Sequence, residues 1–442
     1  MINTFIQEFT EAAHSHEICN LQFYTEEVRK VSVNVYQGAP ESNFQSEVAG
    51  CYVQGEYQGK TGYVYIEDFS KELFEGEIAD LKEVAMLSDA EGSVNALTEV
   101  KCEKQEQLTA VDILAERLIQ AEKEALAAHP GVKKFNHFQC GEIIRRISIR
   151  NDQGGCMEDE NKYAFFGVNA EAEKDGVVQI AGGEILALSA EELDMSAAAT
   201  EAASEAVGML AAQQIKTGTY PVILKNSVIC EMLGMFVKNF AADTVHKDLS
   251  KLAGKKGERI ASSIVNLVED PKLPGGANQR AFDDEGTPTS RKEIVKDGVL
   301  QMFLYNQEEA KKDGVASTGN GFKESCRSKP GVFVTNLKLE GETKPLEELM
   351  RDMGDGLYIT NCDGMFAGAD PVSGKFSLIS KGYQIENGEI DGSVNQITVA
   401  GNFYDMLQVI EGIGEDYLMN NGDGGMIIAP SIYVKELVVS GL

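Results

Sequence analysis

Apolar residues in the first part of the chain recur with helical or alternating spacing, which predicts a mixture of helices and strands. Residues 1–19 are expected to form an amphipathic helix, with Phe5, Phe9 and Ala12 or Ala13 on one stripe. Strands and a second helix follow, at residues 31–36, 46–57 and 60–65 for the strands and 70–86 for the helix.

A second group of helix and strand patterns follows residues 87–105, which are polar and predict a loop. Residues 109–128 predict a helix. Three strands of an antiparallel meander are then expected, at residues 141–150, 163–170 and 176–188. Ser189, with Glu192 three residues later, has the spacing of a capping box and predicts the start of a long alanine-rich helix that reaches Lys216.

A short apolar strand and a longer apolar segment mark the middle of the chain. Residues 220–224 predict the strand, and residues 227–240 are long enough for about four helical turns. Glu231 is the one charged residue in the apolar half of that helix. Burial of a lone carboxylate is costly, so Glu231 is expected either to pair across the fold or to carry chemistry.

Glycine-rich, alternating sequence dominates from residue 258 onwards and predicts antiparallel strands. Asn387-Gly388 fits the positive φ angles of a tight primed turn, so residues 384–390 are expected to form a hairpin. Together these patterns predict an α+β fold. An N-terminal α/β domain, with helices on an antiparallel sheet, would cover residues 1–217, and a β-rich C-terminal domain would cover residues 218–442.

Charge and composition exclude several classes of protein. The formal net charge of −30 repels phosphate backbones, which argues against nucleic-acid binding. The N-terminal sequence lacks the pattern of a signal peptide, and no apolar run approaches the ~20 residues of a membrane-spanning helix. The eight cysteines are scattered without a CxxC pair, so we expect a reduced, cytoplasmic protein without disulfides or a cysteine metal site.

Five short motifs resemble the TldD/PmbA family of peptidases, also known as modulators of DNA gyrase. They are GTYPVIL, CEMLGM, FDDEGTPT, STGNG and SKGYQIENGEI. The resemblance covers nearly the whole chain and implies a two-part fold whose β-rich half is peptidase-like. It also implies a TldD-type partner chain and a homo- or hetero-oligomer. The implied activity is proteolysis of small or unfolded peptides, including peptide-antibiotic maturation and antitoxin turnover.

The positions that match the family's metal ligands differ in this sequence. Catalytic TldD-type members carry a histidine, a glutamate, three residues and a second histidine, where this chain has Cys230, Glu231 and, at the second histidine position, Met235. The family's third ligand is a cysteine in a glycine-rich turn, and the matching residues 420–426 contain none. A methionine is a poor zinc ligand. The pattern resembles the PmbA/TldE type, so no metal is expected in this chain, and zinc is expected in the TldD-type partner.

Glu231 and Cys230 are the candidates for residual chemistry in this segment. In catalytic relatives the glutamate would activate a metal-bound water; without metal it would be a vestigial catalytic residue, an ion-pair partner or a structural carboxylate. Cys230 could be a nucleophile only with a base nearby, and a small buried residue is favoured. We place Cys230 and Met235 among the candidate substrate-binding residues.

Two loops complete the candidate substrate site. Asp283, Asp284 and Glu285 could hold a cation or a substrate amine, or could cap backbone N–H groups in a turn. Gly319 and Gly321 lack a Cβ, which would let the backbone approach a bound peptide.

The sequence therefore favours a PmbA/TldE-type subunit of a TldD/TldE-like metalloprotease complex. Two alternatives stay open at this point. One is an independent metallopeptidase that uses Glu231 with an unrecognised metal set. The other is a non-enzymatic module that binds peptides without a protease partner.

Overall fold

The computed structural model describes residues 2–88, 97–102, 104–422 and 424–442. The helices are α1 Ile2–Ser15, α2 Phe74–Leu87, α3 Val111–Ala128, α4 Met195–Gly208, α5 Asn226–Phe236, α6 Ala242–His246, α7 Gln307–Asp313, α8 Leu346–Met353, α9 Met365–Gly368 and α10 Phe403–Gln408. The strands of the first part are β1 Cys19–Tyr36, β2 Ala39–Tyr57, β3 Lys60–Ile66, β4 Val132–Asn151, β5 Cys156–Lys174 and β6 Val177–Ala187. Those of the second part are β7 Gly218–Leu224, β8 Asn266–Glu269, β9 Lys292–Lys296, β10 Val299–Leu300, β11 Gly321–Phe322, β12 Gly331–Val332, β13 Asn336–Glu340, β14 Thr343–Lys344, β15 Gly356–Asp363, β16 Lys375–Glu386, β17 Glu389–Asn402, β18 Ile410–Gly414, β19 Leu418–Gly422, β20 Gly425–Ala429 and β21 Ile432–Ser440.

The N-terminal half is one antiparallel sheet covered by helices. Its strand order is β3-β2-β1-β4-β5-β6. Helices α1 and α2 pack on one end of the sheet, where Phe5, Phe9 and Phe74 form a buried aromatic group. Helices α3 and α4 pack on β1, β4, β5 and β6 through alanines and leucines, whose small side chains let α4 lie close to the sheet.

The C-terminal half contains two larger sheets around a common core. One runs β14-β18-β21-β17-β16-β15-β7. Because β7 also pairs with β21, the five strands from β21 to β7 close into a barrel, and β18 and β14 extend from β21 outside it. The other runs β10-β9-β8-β13-β20-β19. Helix α5 lies between them and contacts β15, β19 and β20. The predicted α+β class, with a β-rich second half, is confirmed. The predicted boundary after residue 217 falls between α4 and β7.

Several local predictions hold and others need correction. The hairpin at Asn387-Gly388 is present, with φ angles of 52° and 80°. The capping box at Ser189 is wrong: the Ser189 side chain makes no capping bond, and Asp194 caps α4 instead by accepting from the Ala197 N–H at 2.9 Å. The predicted long helix therefore begins later, after a single 3₁₀ turn at Ala190–Glu192, and α4 ends well before Lys216.

Element lengths also differ from the sequence-based predictions. Strand β1 begins at Cys19 and pairs along its length with β2 and β4, so it is much longer than its alternating segment. Helix α5 ends at Phe236 and continues as a 3₁₀ turn, Val237–Phe240. The predicted loop at residues 87–105 lies partly outside the described residues, at 89–96 and 103. No helix among the described residues is long and apolar enough to cross a membrane.

Candidate functional site

Helix α5 is anchored in the core of the C-terminal half. It follows β7 directly, and the Lys225 N–H between them donates to the Ile359 carbonyl at 2.9 Å. Phe236 at its end is fully buried and stacks on Phe403, with ring centroids 4.2 Å apart. Packing of this kind fixes the position of the side chains on the opposite, more exposed face of the helix.

The glycine-rich turn between β19 and β20 lies directly against α5. A Cβ built on Gly234 would lie 3.3 Å from the Cα of Gly422, so the two backbones touch. Gly425 has a φ of 134°, which non-glycine residues rarely adopt. The fold thus brings together the two segments that match the family's metal ligands, except Asp423, which lies outside the described residues.

The side chains at these positions do not suit a zinc ion. The buried Cys230 Sγ lies 3.4 Å from the Leu418 carbonyl oxygen and 3.7 Å from that of Ile427. Burial raises the pKa of this thiol to about 12. A single thiol is one zinc ligand at most. Met235 is half-buried and packs against the apolar core. No cluster of three His, Cys, Asp or Glu residues that could hold a metal occurs among the described residues.

Glu231 lies on the exposed side of α5. An ion pair across the fold, one of the roles left open for Glu231, is not found, since no basic group of a described residue lies within ion-pair distance of its carboxylate. Partial burial and the neighbouring charge of Asp363 raise the pKa of Glu231 to about 7. The carboxyl is therefore partly protonated at neutral pH, as expected for a carboxyl group without a counter-charge.

The Asp283 carboxylate accepts hydrogen bonds from backbone N–H groups of two loops. It accepts hydrogen bonds from the N–H groups of Thr287 at 2.8 Å, Gly321 at 2.9 Å and Glu285 at 3.1 Å. Burial raises the pKa of Asp283 to about 7 in spite of these bonds. The capping bonds join the acidic loop to the loop that contains Gly319 and Gly321, two regions that the sequence pattern did not connect.

Asp284 and Glu285 also have partners within the protein. The buried Asp284 accepts from Arg280 Nη2 at 2.6 Å and from the Lys323 N–H at 2.8 Å, and the two neighbouring arginines lower its pKa against the opposing effect of burial. Glu285 accepts from the Gln307 N–H at 2.8 Å. A Cβ on Gly321 would collide with the Glu285 carboxylate. This glycine therefore allows close loop packing.

A cavity of about 680 Å³ lies between the N-terminal sheet and the C-terminal half. Glu26, Arg145 and Tyr163 line it from the sheet, while Gly422 and Met426 of the glycine-rich turn line it from the other half. The eight candidate residues named from the sequence are absent from its lining. Three of these candidates lie on α5 and five lie in the two loops, close in sequence to residues that do line the cavity.

Sequence reasoning missed the basic residues of this cavity. Lys238 follows α5, while Arg280 and Lys323 come from the loops around Asp284. One signal was available, because Lys238 is a lone lysine within an otherwise apolar segment. Arg145 could not have been placed from sequence, since it reaches the cavity from β4 in the other half.

His246 joins two short helices outside this cavity. Its Nδ1 contacts Glu309, and its Nε2 lies 2.9 Å from Asp313 Oδ1. These carboxylates raise the pKa of His246. Three-quarters of the side chain is shielded from solvent. The histidine therefore acts as an ion-pair bridge between α6 and α7.

We expect this bridge to make stability depend on pH. Because the folded-state pKa of His246 is raised, its contribution is fully present below the unfolded value of ~6.5 and is lost as pH rises through the folded value. His246→Gln should therefore destabilise the protein most near pH ~6, by up to about 1 kcal/mol for a solvent-screened pair, and least near pH ~9. Urea unfolding of both proteins at the two pH values measures this, and an effect that grows with pH would contradict it.

The fold and the two joined segments define a class of protein. Residues 217–441 match the family described as the PmbA/TldA metallopeptidase C-terminal domain, which is just over half of the chain, and the chain belongs to this family. The resemblance inferred from the motifs is thereby confirmed.

Individual relatives are similar over much or all of the chain. The metalloprotease PmbA of Escherichia coli O157:H7 is 28% identical over 72% of this chain, and the match spans 65% of that protein, less than two thirds of its length. The metalloprotease PmbA homolog of Haemophilus influenzae is 25% identical over 99% of this chain and 91% of its own length.

Solved structures show the same architecture. A Thermotoga maritima protein, described as a putative modulator of a DNA gyrase, has a TM-score of 0.88 at 29% identity and full coverage of both chains. TldE from Thermococcus kodakarensis has a TM-score of 0.86 over 99% of this chain and 100% of its own, at 20% identity, which supports the fold alone.

Proposed function

We propose that this chain is a PmbA/TldE-type subunit of a TldD/TldE-like metalloprotease complex, without a zinc site of its own. It would complete the substrate chamber for small or unfolded peptides, while a TldD-type chain supplies the zinc. The cytoplasm is the proposed compartment, in keeping with its eight free cysteines.

The chemistry of the ligand positions carries this proposal. Where α5 meets the glycine-rich turn, the chain offers a single thiol, at Cys230, and a thioether at Met235. Neither group matches the imidazoles that zinc requires in catalytic relatives. Glu231 would have no bound water to activate. The metalloprotease names of the relatives support a role in proteolysis. The substituted ligands support the role of a subunit that has no zinc of its own.

A three-way peptidase assay tests the proposal. We expect no turnover of an unstructured peptide by this chain alone and little by a TldD-type chain that carries both histidines. Turnover should appear when the two chains are mixed. Elemental analysis of this chain, purified alone, should find zinc well below one ion per chain. A chelated TldD-type chain in the same mixture is the matched control, because activity should then disappear and return with added zinc.

Two results would contradict the proposal in different ways. Zinc-dependent turnover by this chain alone would favour the independent metallopeptidase. Saturable peptide binding by this chain, with no effect on the activity of the TldD-type chain, would favour the peptide-binding module.

A further inference from the structure

The cavity between the two halves is basic in an otherwise acidic protein. Its charged lining residues are Glu26, Arg145, Lys238, Arg280, Lys323 and Glu324. Four of these six are basic, whereas the whole chain has 70 acidic and 40 basic residues. A concave basic surface within a negative field attracts anions that the rest of the protein repels.

Both arginines of the cavity wall already form ion pairs with carboxylates. Arg145 Nε and Nη2 donate to the two oxygens of Glu26 at 2.9 and 3.0 Å. Arg280 donates through Nη2 to Asp284, and its guanidinium is almost fully buried. Arg280 Nε has no hydrogen-bond acceptor among the described residues, but the Asp159 carboxylate lies 4.0 Å from it. With these pairs set aside, the charged groups left in the lining are the two lysines and one carboxylate, Glu324, so a net positive charge remains.

Neither lysine has a carboxylate within ion-pair distance among the described residues, which exclude Asp423. Lys238 Nζ donates to the Val332 carbonyl at 2.7 Å and lies 3.0 Å from the ring centroid of Phe333. Lys323 Nζ donates to the Ser328 carbonyl and lies 3.3 Å from the ring centroid of Tyr52. Tyr52 lines a smaller neighbouring cavity, so Lys323 lies in the wall between the two cavities. An ammonium group has three donors, so each lysine can still donate to a ligand.

Holding two such lysines in a cavity wall is costly for the fold. Burial lowers the pKa of both Lys238 and Lys323 to about 8, because desolvation outweighs the attraction of more distant carboxylates. Buried charges are normally paired, and unpaired ones concentrate at binding sites. A bound anion would supply the missing counter-charge to both lysines.

We infer that this cavity binds the carboxylate of a short peptide, with Lys238 and Lys323 as its charged contacts and the C-terminal carboxylate as the group recognised. The choice of a peptide rests on the proposed function, whereas the choice of an anion rests on the cavity alone. Its volume lies within the range of small-ligand sites. The rings of Phe322 and Phe333, which also line the cavity, provide apolar surface for the terminal side chain.

Peptide binding to the full chain tests this inference directly. The chain contains no tryptophan, so the fluorescence anisotropy of a tetrapeptide with one tryptophan and three alanines reports binding without background. We expect the free acid to bind at least about tenfold more tightly than the C-terminal amide, the loss expected for a charged hydrogen-bonded contact. This comparison leaves the protein unchanged, so it does not depend on whether a variant folds.

Charge-removing variants locate the site. Lys238→Met and Lys323→Met keep most of the length of the side chain and should each reduce the preference for the free acid over the amide by about tenfold or remove it. Lys256→Met is the matched control, because Lys256 is exposed and outside the cavity lining, and it should leave the preference unchanged. Circular dichroism establishes that each variant is folded.

Further peptides separate the two sources of a carboxylate. Moving the acid to a glutamate side chain in an amidated peptide should not restore tight binding; if it does, C-terminal recognition is wrong. Equal binding of acid and amide, binding of neither, or competition by inorganic phosphate at concentrations where acetate fails to compete would each overturn the inference.

Because this assay omits the TldD-type chain, failure here leaves the peptidase proposal standing. Likewise, acid-selective binding can hold even if that proposal fails.

Discussion

Replacing Asp284 with alanine should lower the free energy of unfolding by about 3–5 kcal/mol. The substitution would leave the guanidinium of Arg280 buried at the cavity wall without its partner at 2.6 Å, and it would remove the acceptor of the Lys323 N–H. An uncompensated buried charge costs far more than the loss of an exposed one. Chemical denaturation of the two proteins measures the difference.

Two further variants make this prediction specific. Asp352→Ala removes an exposed carboxylate that pairs with Lys344, and it should leave stability nearly unchanged because solvent screens such a pair. Combining Asp284→Leu with Arg280→Met removes both buried charges and should recover much of the loss. A cost at Asp284 no larger than that at Asp352 would show that the pair is not buried as described.

The substitution Phe236→Ala should also be severe, at about 3–5 kcal/mol. Phe236 is fully buried at the end of α5 and stacks on Phe403 at 4.2 Å with nearly parallel rings. Truncation would open a cavity in a core that joins α5 to the barrel, and it would also remove the stacking contact. Because Lys238 follows two residues later, we expect acid-selective peptide binding to weaken as well.

Phe366→Ala is the matched control for this change. Its ring is 82% exposed, so the same chemical truncation should alter stability by less than about 0.5 kcal/mol. Unfolding of both variants under one set of conditions gives the comparison. Similar losses from Phe236 and Phe366 would mean that α5 is not held by this packing.

The acidic loop takes one of the two roles that its sequence left open. Three acids in a row could hold a cation or a substrate amine, or could cap backbone N–H groups in a turn. In the structure Asp283 caps backbone N–H groups. Asp284 pairs with Arg280 and accepts a hydrogen bond from the Lys323 N–H. The acids therefore shape the wall of the cavity, while basic side chains form most of the charged part of its lining.

The sequence predicted the elements that depend on apolar periodicity or turn residues within a few positions. Helix α3 and strand β7 follow from apolar spacing along the chain. The hairpin at Asn387-Gly388 follows from the positive φ angles that asparagine and glycine tolerate. Each of these elements depends on residues that are close together in sequence, so the sequence was sufficient to predict it.

The start of α4 shows where local pattern fails. Asp194 directly precedes α4, and its side chain reaches a free N–H group of the first helical turn. Ser189 precedes only a short 3₁₀ turn and makes no capping bond. Both residue types are good caps, and the sequence alone cannot rank them. The choice depends on where packing against the sheet lets the helix begin.

By itself, the sequence determined the family, the α+β class, the hairpin and the absence of histidines at the matching ligand positions, because each of these depends on residue identity or on spacing within one segment. Only the tertiary structure decided that Gly234 meets Gly422, that Lys238 and Lys323 line one cavity, and that Glu231 has no basic partner among the described residues. Those facts depend on contacts between segments far apart in the chain. Burial and pairing of charges arise from such contacts, and they set the chemistry of the cavity.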